Sequence, residues 1–366
     1  MSGTAILDDR EAMGALDEGG MLRLLWTYPE QFDEGRRLAA EFDLGVQVQG
    51  QGQSQLRELD EVLLLGTGGG SAAAGNLVAS YLFGDLRVPF LVHQGYNIPR
   101  YVDEHTLCFV VTHSGQTEET LSAYQQAVDR RARVIAITSG GTLREWCRRE
   151  QIPVLEVPGG LMPRVALGYL MIPILTLLDR LGLVAPKGRQ IQEAVEVMAA
   201  MRSAIGPDAP AAVNEAKQTA ARLVGKIPVI YGRSEFSEAV AARMKRQLAE
   251  NAKLLSLANA VPALHHDEIV GWDSPPEVTK AFGLVLLRDA DESEKVHRRM
   301  EITRGLLEPR AGSLSEVWAR GQGRLARLLS LVYVCDYVSV YLALALGRDP
   351  TPVRIIDLFK REMSGK

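Results

Sequence analysis

The 366-residue chain is 46% hydrophobic and 23% charged, the make-up of a globular protein with length for two domains. Its formal net charge of -4 excludes a general electrostatic pull toward nucleic acid or an anionic membrane, so an anionic ligand must be held by local groups. The three cysteines, Cys108, Cys147 and Cys335, lie far apart in apolar or mixed surroundings, which suits a reducing cytoplasm and offers no zinc spacing.

The opening MSGTAILDDREAMG carries acids early and lacks a basic region followed by an apolar one, so it does not read as a signal peptide. Residues 9–44 read as helical, with amphipathic pieces at 21–26 and 32–42 and Pro29 suited to a first turn. The stretch 46–58, VQVQGQGQSQLRE, reads as a polar connector. Strands are predicted at 62–65, 88–92, 107–111, 134–137 and 152–157, and helices at 71–83, 117–130, 143–150 and 164–181. Residues 187–223 read as two connecting helices. The alternation then resumes with strands at 227–231, 282–288 and 313–317, helices at 234–251, 294–307 and 324–346, and a short helix at 357–363. Charge, Gly or Pro interrupts the apolar stretches, so none is expected to reach membrane-spanning length. Short apolar strands alternating with helices predict an α/β protein with mainly parallel sheets covered on both faces. The second half repeats the order of the first, which makes an internal duplication plausible although the two halves match weakly in sequence.

Two turns carry anion-binding signals. In LLLGTGGGSAAAGNL, residues 63–77, four glycines follow a strand and open a helix, where backbone N–H groups and the helix dipole face a ligand. Ser71 is placed to cap that helix or to offer a hydroxyl. A ligand-free strand–helix turn has the same signature. No acid closes the second strand, which ends toward His93 and Gln94, and this argues against a dinucleotide site. In FVVTHSGQTEET, residues 109–120, Thr112, Ser114 and Thr117 surround Gly115 at a helix start, a set of neutral donors for a phosphate. An N-cap with solvent-facing hydroxyls is the plain alternative. Both turns follow parallel strands and so open toward one sheet edge.

The stretch 248–272, LAENAKLLSLANAVPALHHDEIVGW, brings Glu250, His265, His266, Asp267 and Glu268 close together in sequence. A carboxylate and an imidazole can share the work of moving a proton off carbon and managing protons on oxygen. Successive side chains at 265–268 point in different directions, which disfavours a metal site; surface polarity beside Pro262 is the bland reading. The terminal PVRIIDLFKREM places Arg354, Lys360 and Arg361 on a short amphipathic helix, where a lysine is suited to a developing oxyanion if the helix folds over the site.

These residues resemble the bifunctional phosphoglucose/phosphomannose isomerase family, whose members contain two sugar-isomerase (SIS) domains. The resemblance runs from WTYPEQF at 26–32 to LFK at 358–360. It is most specific in THSGQTEET, ITSGG at 137–141, MPRVALGY at 162–169, AENAK at 249–253, HHDEIVGW at 265–272 and DYVSVYLALALGRDP at 336–350. It implies two flavodoxin-like, three-layer domains at 59–185 and 224–350. An N-terminal helical segment at 1–58, connecting helices at 186–223 and a C-terminal helix over the active site at 351–366 complete the chain. It further implies aldose–ketose isomerisation of glucose 6-phosphate, and of mannose 6-phosphate, with fructose 6-phosphate through a cis-enediol(ate). By this resemblance the phosphate falls to Gly68, Gly69, Ser71, Thr112, Ser114 and Thr117, the proton transfer to Glu250, ring opening to His266 of a partner subunit, and assistance at the ring oxygen to Lys360. No metal or organic cofactor is implied, and a cytoplasmic homodimer is.

The chain also departs from the family pattern. The first loop, usually GMGGSG-like, is GTGGGS here, and the second replaces a serine by Thr112 and an asparagine by Gln116. After SGG, where the family generally has a basic residue, stands Thr142, with Arg144 and Arg164 as other cations. Losing a cation that stabilises an enediolate costs on the order of 2–4 kcal/mol in the transition state. That departure favours the alternative of a sugar-phosphate-binding sensor, whereas the Glu250/His266 pair favours the enzyme.

Overall fold

The computed structural model describes residues 4–44 and 59–363, so the connector expected at 46–58 lies outside the described residues. The chain divides into two compact units that are not consecutive in sequence. One comprises Thr27–Ala199 with Gly321–Leu328, the other Met1–Trp26, Ala200–Arg320 and Leu329–Lys366.

The N-terminal helices are α1 (Arg10–Leu16), α2 (Met21–Trp26) and α3 (Tyr28–Glu41), the last with Pro29 in its first turn. They are shared out by their packing. Helix α3 belongs to the first unit, where Gly35 lies so near the Gly168 carbonyl that a Cβ would come within 2.7 Å of its oxygen. Trp26 in α2 belongs to the second unit, with the Arg202 guanidinium 5.2 Å from its ring and Gly206 against its edge.

The first unit is built on five parallel strands: β1 (Glu61–Leu65), β2 (Phe90–His93), β3 (Thr106–Val111), β4 (Arg133–Thr138) and β5 (Val154–Glu156), in the order β2-β1-β3-β4-β5. Strands β1 and β3 are buried along their whole length, which is why they read as unbroken apolar runs. The flanking helices are α4 (Ala73–Tyr81), α5 (Glu118–Asp129), α6 (Gly141–Arg149) and α7 (Leu167–Arg180). Helices α8 (Gly188–Ile205) and α9 (Glu215–Leu223) follow; Asn214 caps α9 by accepting from the Ala216 and Lys217 amides.

The second unit has four parallel strands: β6 (Ile227–Arg233), β7 (Leu257–Val261), β8 (Phe282–Arg288) and β9 (Ser313–Trp318), in the order β7-β6-β8-β9. Its helices are α10 (Glu238–Gln247), the short α11 (Pro276–Thr279), α12 (Glu294–Leu307), α13 (Arg324–Ala345) and α14 (Arg354–Met363). Numbered within each unit, both sheets begin 2-1-3-4, the flavodoxin-like order, and this shared topology supports the duplication that sequence left open.

Beyond the strand ends of the second sheet lies a dense ionic network. Buried Arg288 bonds Glu301 at 2.8 Å and also pairs with Glu316 and Glu292, while Arg233 faces buried Asp289 at 3.6 Å.

One expectation is corrected. Helix α13 is long and apolar enough to cross a membrane by length and composition, but its apolar stretch is wholly buried in protein. Its internal Asp336, which made the stretch look interrupted, is matched by Arg243, so the helix serves as a core element.

Candidate functional site

In the first unit three turns meet at the carboxyl edge of the sheet, where the strand order reverses between β1 and β3. A π-helical turn, Gly68–Ala72, follows β1 and leads into α4. Gly66 lies against the Val111 carbonyl, 2.6 Å from where its Cβ would be, so the glycine turn and the hydroxyl turn after β3 abut. Gly115, at φ +66, fits because a Cβ there would run into the Gly140 carbonyl of the turn after β4. Gly70 sits equally close to the Pro163 carbonyl, which places the turn bearing buried Arg164 against the glycine loop.

Thr112 and Thr117 come together, their hydroxyls 2.8 Å apart. Thr117 precedes α5 but does not use its side chain to cap it, and Ser114 is exposed beside it, accepting from the Gln116 amide at 3.3 Å. Hydroxyls and the positive end of a helix thus share one rim, an arrangement that suits an anion. Gly68 is exposed, Gly69 half-buried and Ser71 buried. Of the two roles read for Ser71, the helix cap is not met, because the residue lies inside the π turn rather than at the start of α4.

The cation question also has a geometric answer. Thr142 donates to Gln116 at 2.8 Å and carries no charge, while Arg144 is paired with Glu156 at 3.4 Å and its guanidinium would lie within 3.9 Å of a Cβ at Gly140, in the turn after β4. The turn bearing Arg164 is the one that the fold brings against the glycine loop. Sequence could not locate it, since its position depends on the close approach at Gly70.

His113 is buried, with Nε2 3.0 Å from the Pro158 carbonyl; burial lowers its pKa, partly opposed by that hydrogen bond. A histidine held neutral in the fold but protonated in the unfolded chain stabilises the protein fully above pH 6.5 and less as pH falls below it. Denaturant midpoints are therefore expected to drop between pH 7.5 and pH 5.5, and H113Q to show a smaller drop over the same interval.

In the second unit Glu250 lies half-buried on another π-helical turn, Leu248–Ala252, which continues α10. π-Helical turns recur at functional sites. The two adjacent histidines separate by role. Arg299 donates to His265 Nδ1 at 3.1 Å, which leaves the proton on Nε2 to be donated to Thr303 at 2.7 Å. Burial, then the Arg299 charge, lowers the His265 pKa. His266, by contrast, is exposed and forms no hydrogen bond among the described residues. Glu268 anchors the loop that presents it, accepting from Tyr231 and Asn259 at 2.6 Å each, while Trp272 donates to Tyr231 at 2.9 Å. Lys360 lies on α14, which buries none of its residues within the chain although Ile355 and Phe359 are 81% and 65% exposed.

Comparison with known proteins fits this architecture. Residues 55–145 match the SIS domain, and residues 212–363 match the bacterial phospho-glucose isomerase C-terminal SIS domain. A bifunctional phosphoglucose/phosphomannose isomerase from Caldicellulosiruptor bescii is 38% identical over 344 residues, spanning 94% of this chain and 99% of its own. One from Aquifex aeolicus is 34% identical over 300 residues, 81% of this chain and 88% of its own. A hypothetical protein from Thermus thermophilus shares the fold at a TM-score of 0.70 and 15% identity, over 99% of this chain and 95% of its own. Two parallel sheets of matching order, the first with an anion-ready rim, define a double SIS-domain sugar isomerase. Within that class, the chain belongs to the bifunctional phosphoglucose/phosphomannose isomerase family.

Proposed function

We propose that this protein interconverts glucose 6-phosphate and mannose 6-phosphate with fructose 6-phosphate, as a homodimer in the cytoplasm and without metal or organic cofactor. The observation that carries the reading is the paired Thr112 and Thr117 hydroxyls at the start of α5, beside the glycine turn. Together with Ser114, Ser71 and the Gly68 and Gly69 amides they take the phosphate, and Arg164 supplies positive charge on the glycine-loop side. Anchoring the phosphate turns the reaction at the sugar carbons into an intramolecular event.

In this reading His266, donated by a second copy, and Lys360 open the ring by moving a proton between the ring oxygen and the anomeric hydroxyl. The exposed, unbonded His266 and the uncovered apolar residues of α14 support a partner copy. Glu250 then takes the proton from C2 of the open aldose, and the electron pair forms the C1–C2 double bond of the enediol(ate) as the carbonyl pair moves onto O1. A proton passes from O2 to O1, the C2 carbonyl forms, and Glu250 returns its proton to C1 of the ketose. Glucose and mannose 6-phosphates differ only at C2, so both collapse to the same intermediate.

The test is a coupled assay of glucose 6-phosphate formation from fructose 6-phosphate and from mannose 6-phosphate. Turnover of both is expected. No turnover of either, with measurable binding of fructose 6-phosphate, would replace this reading by that of a sugar-phosphate sensor, which Thr142 favours.

A further inference from the structure

The turn that carries Glu250 is held by two cations whose role the proposed chemistry does not explain. Lys253 closes the π turn in the left-handed region, at φ 57. Its ammonium donates to three carbonyls: Glu250 at 2.8 Å, Asn251 at 3.1 Å and Pro350 at 3.1 Å. Arg348 reaches back with Nη1 to the carbonyls of Ala252 at 2.7 Å and Lys253 at 3.2 Å. The side chain of Asn251 adds a third tie, donating to Ser339 in α13 at 2.9 Å.

Cations at the carboxyl end of a helix satisfy its orphan carbonyls and offset its dipole. Here two long side chains cross between the same two segments. One segment holds Glu250. The other, Arg348–Pro350, is the stem four residues ahead of α14 and hence of Lys360. All three bonds named for the Lys253 ammonium go to backbone, so this lysine fixes main-chain position.

We infer that Lys253 and Arg348 are positioning residues: they clasp the turn of the general base to the stem of the C-terminal helix, so that Glu250 and Lys360 are set as one piece. This rests on the reading of Glu250 as the base. A misplacement of about 1 Å in a reacting group costs about 10²-fold in rate, so loosening the clasp should act on turnover more than on substrate binding.

The experiment compares K253M, K253R, K360M and K253M/K360M in the full-length protein, with E250Q alongside, measuring kcat and KM for fructose 6-phosphate and the unfolding midpoint. For K253M a fall in kcat of about 10²-fold with little change in KM is expected. K253R, which still reaches the carbonyls, should recover part of it. The double variant should lose less than the product of the two single losses. Unchanged kcat in K253M beside an inactive E250Q would overturn the clasp and leave the base assignment standing. Losses that multiply independently, or a lowered midpoint with full kcat in the folded protein, would overturn it as well. Full turnover by E250Q would overturn both readings. If K253M does not fold, R348M, assayed in the same way and combined with K360M, decides the matter by the same outcomes.

Discussion

E250Q is expected to lose turnover of fructose 6-phosphate by about 10²–10⁴-fold, the range that a positioned general base contributes, while still binding the sugar phosphate. The amide keeps the shape of the side chain and removes its ability to accept a proton from carbon. Binding should survive because the groups assigned to the phosphate, Thr112, Ser114 and Thr117, follow β3 and not the π turn. Equilibrium binding of fructose 6-phosphate to the variant, beside its rate in the coupled assay, separates the two effects. An E250Q protein that turns over normally would remove Glu250 from the mechanism.

The largest expected effect on stability comes from α13. Arg243 grips Asp336 through two bonds, Nε to Oδ1 at 3.1 Å and Nη2 to Oδ2 at 2.6 Å, with both side chains essentially inaccessible to solvent. R243M strips a buried carboxylate of its cation and is expected to cost about 3–5 kcal/mol. Replacing both partners by apolar residues, as R243M/D336L, removes the stranded charge along with the pair. It should therefore be more stable than R243M alone. Denaturant unfolding of the three proteins checks the order: wild type and the double variant above R243M. An R243M protein as stable as wild type would mean that water or another group compensates Asp336.

Most of this architecture is legible in sequence because fully buried parallel strands leave unbroken apolar runs. VLLL, LCFVV and VIAIT announce β1, β3 and β4, and the strand FGLVLLR is read with its bounds unchanged. Strand β7 escaped prediction. Its LANAV is poor in β-branched residues, and as an edge strand with Leu257 exposed it has no need of a continuous apolar pattern. The hydroxyl turn was legible because one short peptide supplies Thr112, Ser114 and Thr117. Arg164 was not, since only the close approach of Gly70 to Pro163 tells where it goes. The two histidines could not be told apart in sequence either; their difference arises from α12, which brings Arg299 and Thr303 to His265 and leaves His266 exposed. Lys253 was visible in AENAK, but its partner Pro350 lies 97 positions away.

The ionic network around Arg288 and Arg233 bears on how the two halves have diverged. The first sheet ends in glycine and hydroxyl turns, whereas the corresponding strand ends of the second carry a network of paired charges. In the proposed reading only the first half takes the phosphate, and the second supplies Glu250, His266 and Lys360 instead. Titration with fructose 6-phosphate should accordingly saturate at a single equivalent per polypeptide, in spite of the repeated topology.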